Sequence, residues 1–407
     1  MKKTFNKTLI ILLAVFLLLP LSVWAIDFGF VTNISTGFGN NASDDVNFDF
    51  KIDLWPRLSL LIGDNGDFLF SAGLTLGVDE EFFYVPEILH TEFSMRFGSS
   101  GIRVGRINYS DPLSFVAEGL FDGALFYHNS GIGVFQIGAW YTGFLYKKNA
   151  NITMTDDDLM SFGTPLDYGD FFGTYFAPSR MIASLGWEHP SVAEVVNLRT
   201  AVVAQVDLTD SDSKFHSQYL IVKGGFPFSI FLIEFGGSFG MSQTINDDNE
   251  FNLAFAGEAG FFWLFPSEFN SRLSFIARIA GGKIENSVDA FVPITTKYYG
   301  FILKHKLSGL SVLSVNFSSR INQDLGTSVD FSYFIRNDLG TFKGYPVSPD
   351  SEGFFLGPEV SAQATWSPFS DLQLNLGGGL FIPALGNAGS KENINWRIEL
   401  SATMSIF

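Results

Sequence analysis

From Ile394 to Ile406 the chain alternates without a break. Ile394, Trp396, Ile398, Leu400, Ala402, Met404 and Ile406 are apolar, and Asn395, Arg397, Glu399, Ser401, Thr403 and Ser405 between them are polar. A period of two puts all the apolar side chains on one face of a strand and all the polar ones on the other. The same beat runs from Val46 to Leu54, where Phe48, Phe50, Ile52 and Leu54 are set against Asn47, Asp49, Lys51 and Asp53. Tight-turn signals at Gly63-Asp64-Asn65-Gly66 and Gly98-Ser99-Ser100-Gly101 separate such runs. Further strands are predicted near 68–78, 82–97, 119–128, 132–146, 180–188, 194–207, 215–226, 230–242, 250–264 and 271–281.

Short connections, such as Asn129-Ser130-Gly131 and Phe226-Pro227-Phe228-Ser229, alternate with longer acidic ones, such as 39–45, 147–178, 208–214, 282–297 and 338–356. Short turns therefore gather at one end of the sheet and long loops at the other. The pattern predicts an all-β fold, a transmembrane antiparallel up-and-down β-barrel with apolar side chains toward lipid and polar ones toward an aqueous lumen. With both termini at the short-turn end, the strand number must be even. Reading 298–321 as one long strand gives 18, with 16 as the alternative. Pro56 requires a bend or strand end, because proline cannot donate to a ladder. Phe407 follows Ile406 and is expected to point inward or sit at the rim.

Composition supports a sheet dissolved in lipid: 46% of residues are hydrophobic, with 46 phenylalanines and 41 glycines, too aromatic and glycine-rich for a helical domain. Beyond Ala25 no apolar run approaches the roughly 20 residues of a helical span. A soluble β-sandwich would also alternate, but 26–407 contains no linker or composition break where a second domain could begin. Lys2, Lys3 and Lys7 precede an apolar run from Leu9 to Leu19, then Pro20 and Val23-Trp24-Ala25. This reads as a signal peptide over 1–25, leaving 26–407 as one barrel domain. There is no cysteine, which excludes a disulfide framework and a lipid-modified cysteine. Without the three leader lysines, 22 basic residues face 42 acidic ones, a net charge of −20 that repels nucleic acid.

Strand parity distributes the charges. It places Lys51, Arg96, Arg103, Arg199, Arg272, Arg278, Lys304, Lys306, Arg320, Arg336 and Arg397 inside, with Asp49, Asp53, Glu92, Glu188, Asp207, Glu234, Glu258, Asp330, Glu359 and Glu399. The predicted lumen is thus nearly neutral, and the negative charge belongs to the outer loops. Loop carboxylates such as Asp156 to Asp158 lack the spacing of a calcium loop and read as solvated. Mixed charges inside either order water at a constriction or pair to make a polar wall tolerable. The segment from Ser110 to Gly119 is expected to fold into the lumen, with Arg103, Arg106, Asp111, Glu118 and Asp122 at the narrow point. Arg106 breaks the parity of its strand and so needs a bulge or a rim position.

Catalytic chemistry finds no motif. The histidines 90, 128, 189, 216 and 305 are scattered, no serine sits in a Gly-x-Ser-x-Gly elbow, and no glycine loop cradles phosphate. No catalytic residue, metal or cofactor is assigned.

Gly105-Arg106 followed by Asp122-Gly123 resembles the corresponding stretch of alginate-export-like and substrate-specific 18-stranded porins. So does the carboxyl-terminal run of Leu356-Gly357-Pro358-Glu359, Trp366-Ser367-Pro368, Leu376 to Phe381 and Ile382-Pro383. The resemblance implies a bacterial outer-membrane channel that meets outer-membrane lipid and the barrel-insertion machinery, is compatible with a homo-oligomer, and passes small anionic or sugar-acid solutes. A balanced lumen departs from a polyanion exporter. The residues themselves predict passive diffusion of small hydrophilic solutes. Two alternatives are a surface adhesin or structural barrel using loop 147–178, with its Tyr168, Phe171, Phe172, Tyr175 and Phe176, and a transporter of hydrophobic compounds. Those five rings are expected in the outer interfacial girdle, and Trp263 and Trp366 in the inner one.

Overall fold

A computed structural model describes residues 26–40, 46–79, 81–192, 194–211, 213–245, 250–266, 269–283, 290–341, 347–348, 351–389 and 394–406. The predicted signal peptide and Phe407 lie outside the described residues. Eighteen strands form one antiparallel sheet. They are β1 (Ile26–Asn40), β2 (Val46–Ile62), β3 (Gly66–Asp79), β4 (Glu81–Phe97), β5 (Ser100–Ser110), β6 (Glu118–Ser130), β7 (Gly133–Tyr141), β8 (Arg180–Val192) and β9 (Val196–Asp207). They continue as β10 (Lys214–Phe228), β11 (Phe231–Ile245), β12 (Glu250–Leu264), β13 (Arg272–Ala280), β14 (Leu310–Arg320), β15 (Leu325–Arg336), β16 (Phe355–Phe369), β17 (Leu372–Phe381) and β18 (Asn395–Ile406). Each strand pairs with its sequence neighbours, and β1 pairs with both β2 and β18, from Phe30↔Ile406 to Asn40↔Trp396. The sheet is therefore closed on itself, which satisfies most of its backbone groups without water.

Register carries parity around the whole wall. Phe28, Phe82, Ile137, Leu185, Phe239 and Leu400 lie on the outward face, each more than half exposed. Aromatic side chains mark its two ends: Trp263 beside Phe231 and Phe265, together with Trp366, at the short-turn end, and Tyr84 stacked on Tyr168 at the long-loop end. Among the described residues no helix is long and apolar enough to cross a membrane; the wall of strands is the feature suited to lipid.

Two expectations need correction. The segment 298–321 is not one long strand; only Leu310–Arg320 joins the wall, and Tyr298–Tyr299 pairs with His305–Lys306 in a small separate hairpin. The count of 18 stands because that hairpin turns into the barrel and never enters the ladder. Pro56 neither ends nor leaves its strand: it sits inside β2 opposite Phe30 of β1. The missing donor is accommodated because pairing toward β3 lapses between Leu54↔Leu74 and Arg57↔Ser71. There the Ser71 hydroxyl donates to the Pro56 carbonyl at 3.2 Å.

Candidate functional site

Two long connections fold inward and fill one side of the lumen. The first joins β5 to β6. The Asp111 carboxylate accepts hydrogen bonds from the backbone N–H groups of Leu113, Val116 and Ala117 at 2.8–2.9 Å, closing residues 111–117 into a compact knuckle. Burial nonetheless pushes the Asp111 carboxyl above its ordinary range, against the pull of those donors. Leu113 reaches β11 and occupies the space a side chain on Gly236 would take.

The second connection joins β13 to β14. Its Ile294 N–H donates to the Val116 carbonyl at 2.8 Å, and the Thr295 hydroxyl accepts from the Glu118 N–H at 2.8 Å. Thr296 continues the contact to Asn151 and Thr153 of the β7–β8 connection. Around this junction Leu113, Phe115, Val116, Ile152, Phe291 and Ile294 pack on Ile107, Phe121, Trp140, Ile182, Val203 and Ile221, the inward side chains of β5 to β10. The apolar core of the molecule thus lies inside the barrel.

Farther along, the backbone N–H groups of Phe301, Ile302 and Leu303 all donate to the Glu359 carboxylate on β16, the latter two at 2.9 Å. Glu359 is only 2% exposed. A buried carboxylate is tolerated when several donors converge on it, and here they fix the tip of the loop. The Phe301 ring then seats on β17: a Cβ on Gly379 would lie 2.8 Å from it and one on Gly377 3.5 Å.

The opposite side of the lumen stays open and polar. Asn33 and Thr75 donate to Asp53 at 3.2 and 2.7 Å, Thr403 donates to Asn33 at 3.0 Å, and Thr365 and Ser401 bracket Asn375. A cleft of about 350 Å³ runs along this wall, lined by side chains of β1, β2, β16, β17 and β18 and by Phe301. Charges beside it occur as pairs. Arg397 bonds Asp49 and Glu399, both at 2.5 Å, and Lys304 approaches Glu399 at 3.6 Å. Lys51 meets Asp53 at 3.1 Å, and Arg103 takes Glu92, which His90 also contacts at 2.8 Å. On β10 to β13 Arg278 pairs with Glu258 at 2.7 Å, and Lys223 with Glu234 at 3.1 Å.

The candidate residues therefore separate by role. Register puts Lys51, Arg96, Arg103, Arg199, Glu234, Glu258, Arg272, Arg278, Arg320, Glu359, Arg336, Arg397 and Glu399 on the inward face. Of these, Arg336 is buried and donates to the Ser351 and Gly353 carbonyls, holding a loop, and Glu359 holds Phe301 to Leu303, so neither offers its charge to water. Arg320 donates to Gln323 at the short-turn end, and Arg272 lies over the Phe262 ring. Glu118 pairs with Lys297 at 2.9 Å, joining the two inward loops.

Arg106 and Asp122 require a correction: they do not line a narrow point. They share the outward parity of Val104, Ala124 and Phe126, with Arg106 opposite Asp122 in the ladder. They border a depression on the outer surface with Ile88 and Met181. The guanidinium makes two 2.8 Å bonds to Asp122 and also reaches the Ile88 and Phe144 carbonyls. Complete pairing beneath the Phe144 turn is what lets an ion pair occupy the outer face. The upper half of β4 has no β5 partner above Thr91↔Arg106. Side chains satisfy it instead, with Tyr168 bonded to Tyr84 and Tyr175 to the Pro86 carbonyl.

Sequence reasoning missed Phe301, its seat at Gly377 and Gly379, and the inward turn of 290–309. The run Gly377-Gly378-Gly379 was the one available signal, since two inward glycines in a strand mark a place where something else approaches closely. It also missed Arg180, fully buried between Asp158 and Asp207 at the long-loop end.

The class defined by these features is a closed 18-stranded barrel with an apolar exterior and a partly filled polar interior. No family model and no curated protein matches the chain. Among solved structures it is similar to Pseudomonas aeruginosa OccK5 (OpdH), with a TM-score of 0.60 at 12% identity, over 94% of this chain and 98% of that one. It is similar to OccK2 (OpdF) in complex with glucuronate, at 0.61 and 10%, with the same coverage. The outer membrane protein opdK gives 0.60 at 9%, again over 94% and 98%. At such identities the likeness is one of fold.

Proposed function

We propose that the protein is a channel of the bacterial outer membrane that lets small hydrophilic solutes diffuse passively through an eccentric passage. The observation that carries this reading is the division of the barrel interior. Loops 111–117 and 290–309 bury apolar side chains against the inward face of β5 to β10, the tip of the second reaching β16 and β17, while polar side chains of β1, β2, β16, β17 and β18 line a cleft beside that tip. An apolar belt outside and hydroxyl, amide and paired charged side chains inside are what a solvated pore through a bilayer requires. The likeness to OccK2, OccK5 and opdK supports the same reading. Charges are held in local pairs, so the passage should show weak ion preference. Loop 147–178 turns Ile152 and Met154 into the interior and drapes Tyr168 over β4, which leaves less of it free for an adhesive role.

Insertion of the purified protein into planar bilayers tests the proposal. Ohmic current steps with a small reversal potential in a salt gradient are expected. Stable insertion without current would refute it.

A further inference from the structure

The cleft beside Phe301 carries an inference about what the passage prefers, and it rests on the channel reading above. The cleft's polar side chains are mostly amides and hydroxyls, among them Gln363, Thr365, Asn375 and Ser401, groups that donate and accept in equal measure. Its charges are already engaged. Arg397 is held by two carboxylates, Asp49 and Glu399, whose side chains remain 36% and 38% exposed, while the arginine itself is 14% exposed. An incoming carboxylate would find no free guanidinium fork and a lysine, Lys304, already drawn to Glu399 at 3.6 Å, whereas a hydroxyl can donate to Asp49 and Glu399. The Phe301 ring lines it too, fixed through its own backbone by Glu359 and set against glycines on β17. An aromatic ring lining the same cleft as hydroxyl, amide and carboxylate groups suits a molecule with one apolar C–H face and a rim of hydroxyls. The cleft volume of about 350 Å³ falls within the range of about 300–1,000 Å³ typical of small-molecule sites.

We propose that this cleft is a subsite for a neutral polyhydroxylated ring, a hexose-type sugar, which makes the channel prefer neutral sugars over sugar acids of similar size and over amino acids. Phe301 provides the platform, and Asp49 and Glu399 accept from sugar hydroxyls while excluding anions.

The experiment measures current through single channels of the full protein in salt, with glucose, glucuronate or alanine added. Expected is a saturable block by glucose, with glucuronate and alanine giving none at the same concentration. Phe301→Leu keeps the apolar bulk that seats the loop but loses the aromatic face, so the glucose block, read relative to each channel's own current in salt, should weaken about five- to tenfold. Phe301→Trp should restore it. Block by glucuronate or alanine equal to that by glucose, absence of saturable block, or an unaltered block in Phe301→Leu would overturn the subsite while leaving the channel standing. A protein that carries no current in salt overturns the channel reading, and the subsite with it.

Discussion

Replacing Glu359 by alanine should undock the tip of the inward loop without harming the barrel. Three backbone N–H groups converge on this one carboxylate. Hydrogen bonds to a charged acceptor contribute about 1.5–3 kcal/mol each, so three give roughly 5–9 kcal/mol as a non-additive upper bound. Removal also leaves three part-buried donors without their acceptor. Even if only about 3 kcal/mol of this favours the docked position, its loss shifts the docked-to-undocked ratio by more than about a hundredfold. The strand ladder keeps its own pairs at Ser332↔Glu359 and Glu359↔Phe381, so the barrel should retain its heat-modifiable migration on gels. Single-channel recording should then show a higher conductance and added slow current fluctuations as residues 298–304 leave the lumen. Glu359→Gln keeps one acceptor oxygen but turns an NH2 toward the remaining donors, and should fall between. A Glu359→Ala channel with the conductance and quietness of the original would refute the anchoring argument.

Three further outcomes are expected. Arg106→Met alone leaves Asp122 without its counter-ion and should lower the temperature of heat unfolding, with a cost of about 3–5 kcal/mol, while Arg106→Met with Asp122→Leu should recover most of it. Because the pair faces outward, conductance and ion selectivity should be unchanged in both, and altered selectivity would show that the pair borders the pore. Asp338 clasps two loops: burial alone would raise its carboxyl, but donation from the Thr341 hydroxyl and from the N–H groups of Thr341, Gly340 and Lys283 holds it below the ordinary 3.8. Such a depressed group stabilises above pH 3.8 and loses its contribution as pH falls through the lowered value. Hydrogen exchange in peptides covering 281–283 and 337–341 should therefore rise only under strong acid, and Asp338→Asn should raise it at neutral pH; equal exchange in both proteins would contradict this. Gly379→Leu should displace the Phe301 ring and mimic loop release in conductance records, and an unchanged record would remove the seat assigned to that glycine.

The wall was legible in the sequence because a strand writes its environment into every second residue. Asn33, Asp53, Arg397 and Glu399 alternate with Ile34, Leu54, Ile398 and Leu400, and closure only required an even number of such strands. The contents of the barrel were harder to read. Leu113 reaching Gly236, and Glu359 receiving Phe301 to Leu303, are contacts between distant segments that no local period records. The stretch near 298 has strand-like composition, yet its residues pack on the wall from inside. Arg106 shows a different failure. Its alternation with Val104 pointed outward, but an outward charge is acceptable only if buried and fully paired, and the Phe144 carbonyl that completes the pairing comes from a loop whose path the sequence did not disclose.

Cysteine accessibility tests the eccentric passage most directly, since the chain has no cysteine of its own. Ser401→Cys places a thiol on the open wall, Ser238→Cys places one on the inward face beneath the packed loops, where Ser238 is 3% exposed, and Leu400→Cys places one outside. With a charged, membrane-impermeant methanethiosulfonate reagent, the current through Ser401→Cys channels should fall within the first exposure, while Ser238→Cys and Leu400→Cys channels should be unaffected. Rapid modification at Ser238→Cys with none at Ser401→Cys would place the water-filled path on the other side of the barrel and contradict the account.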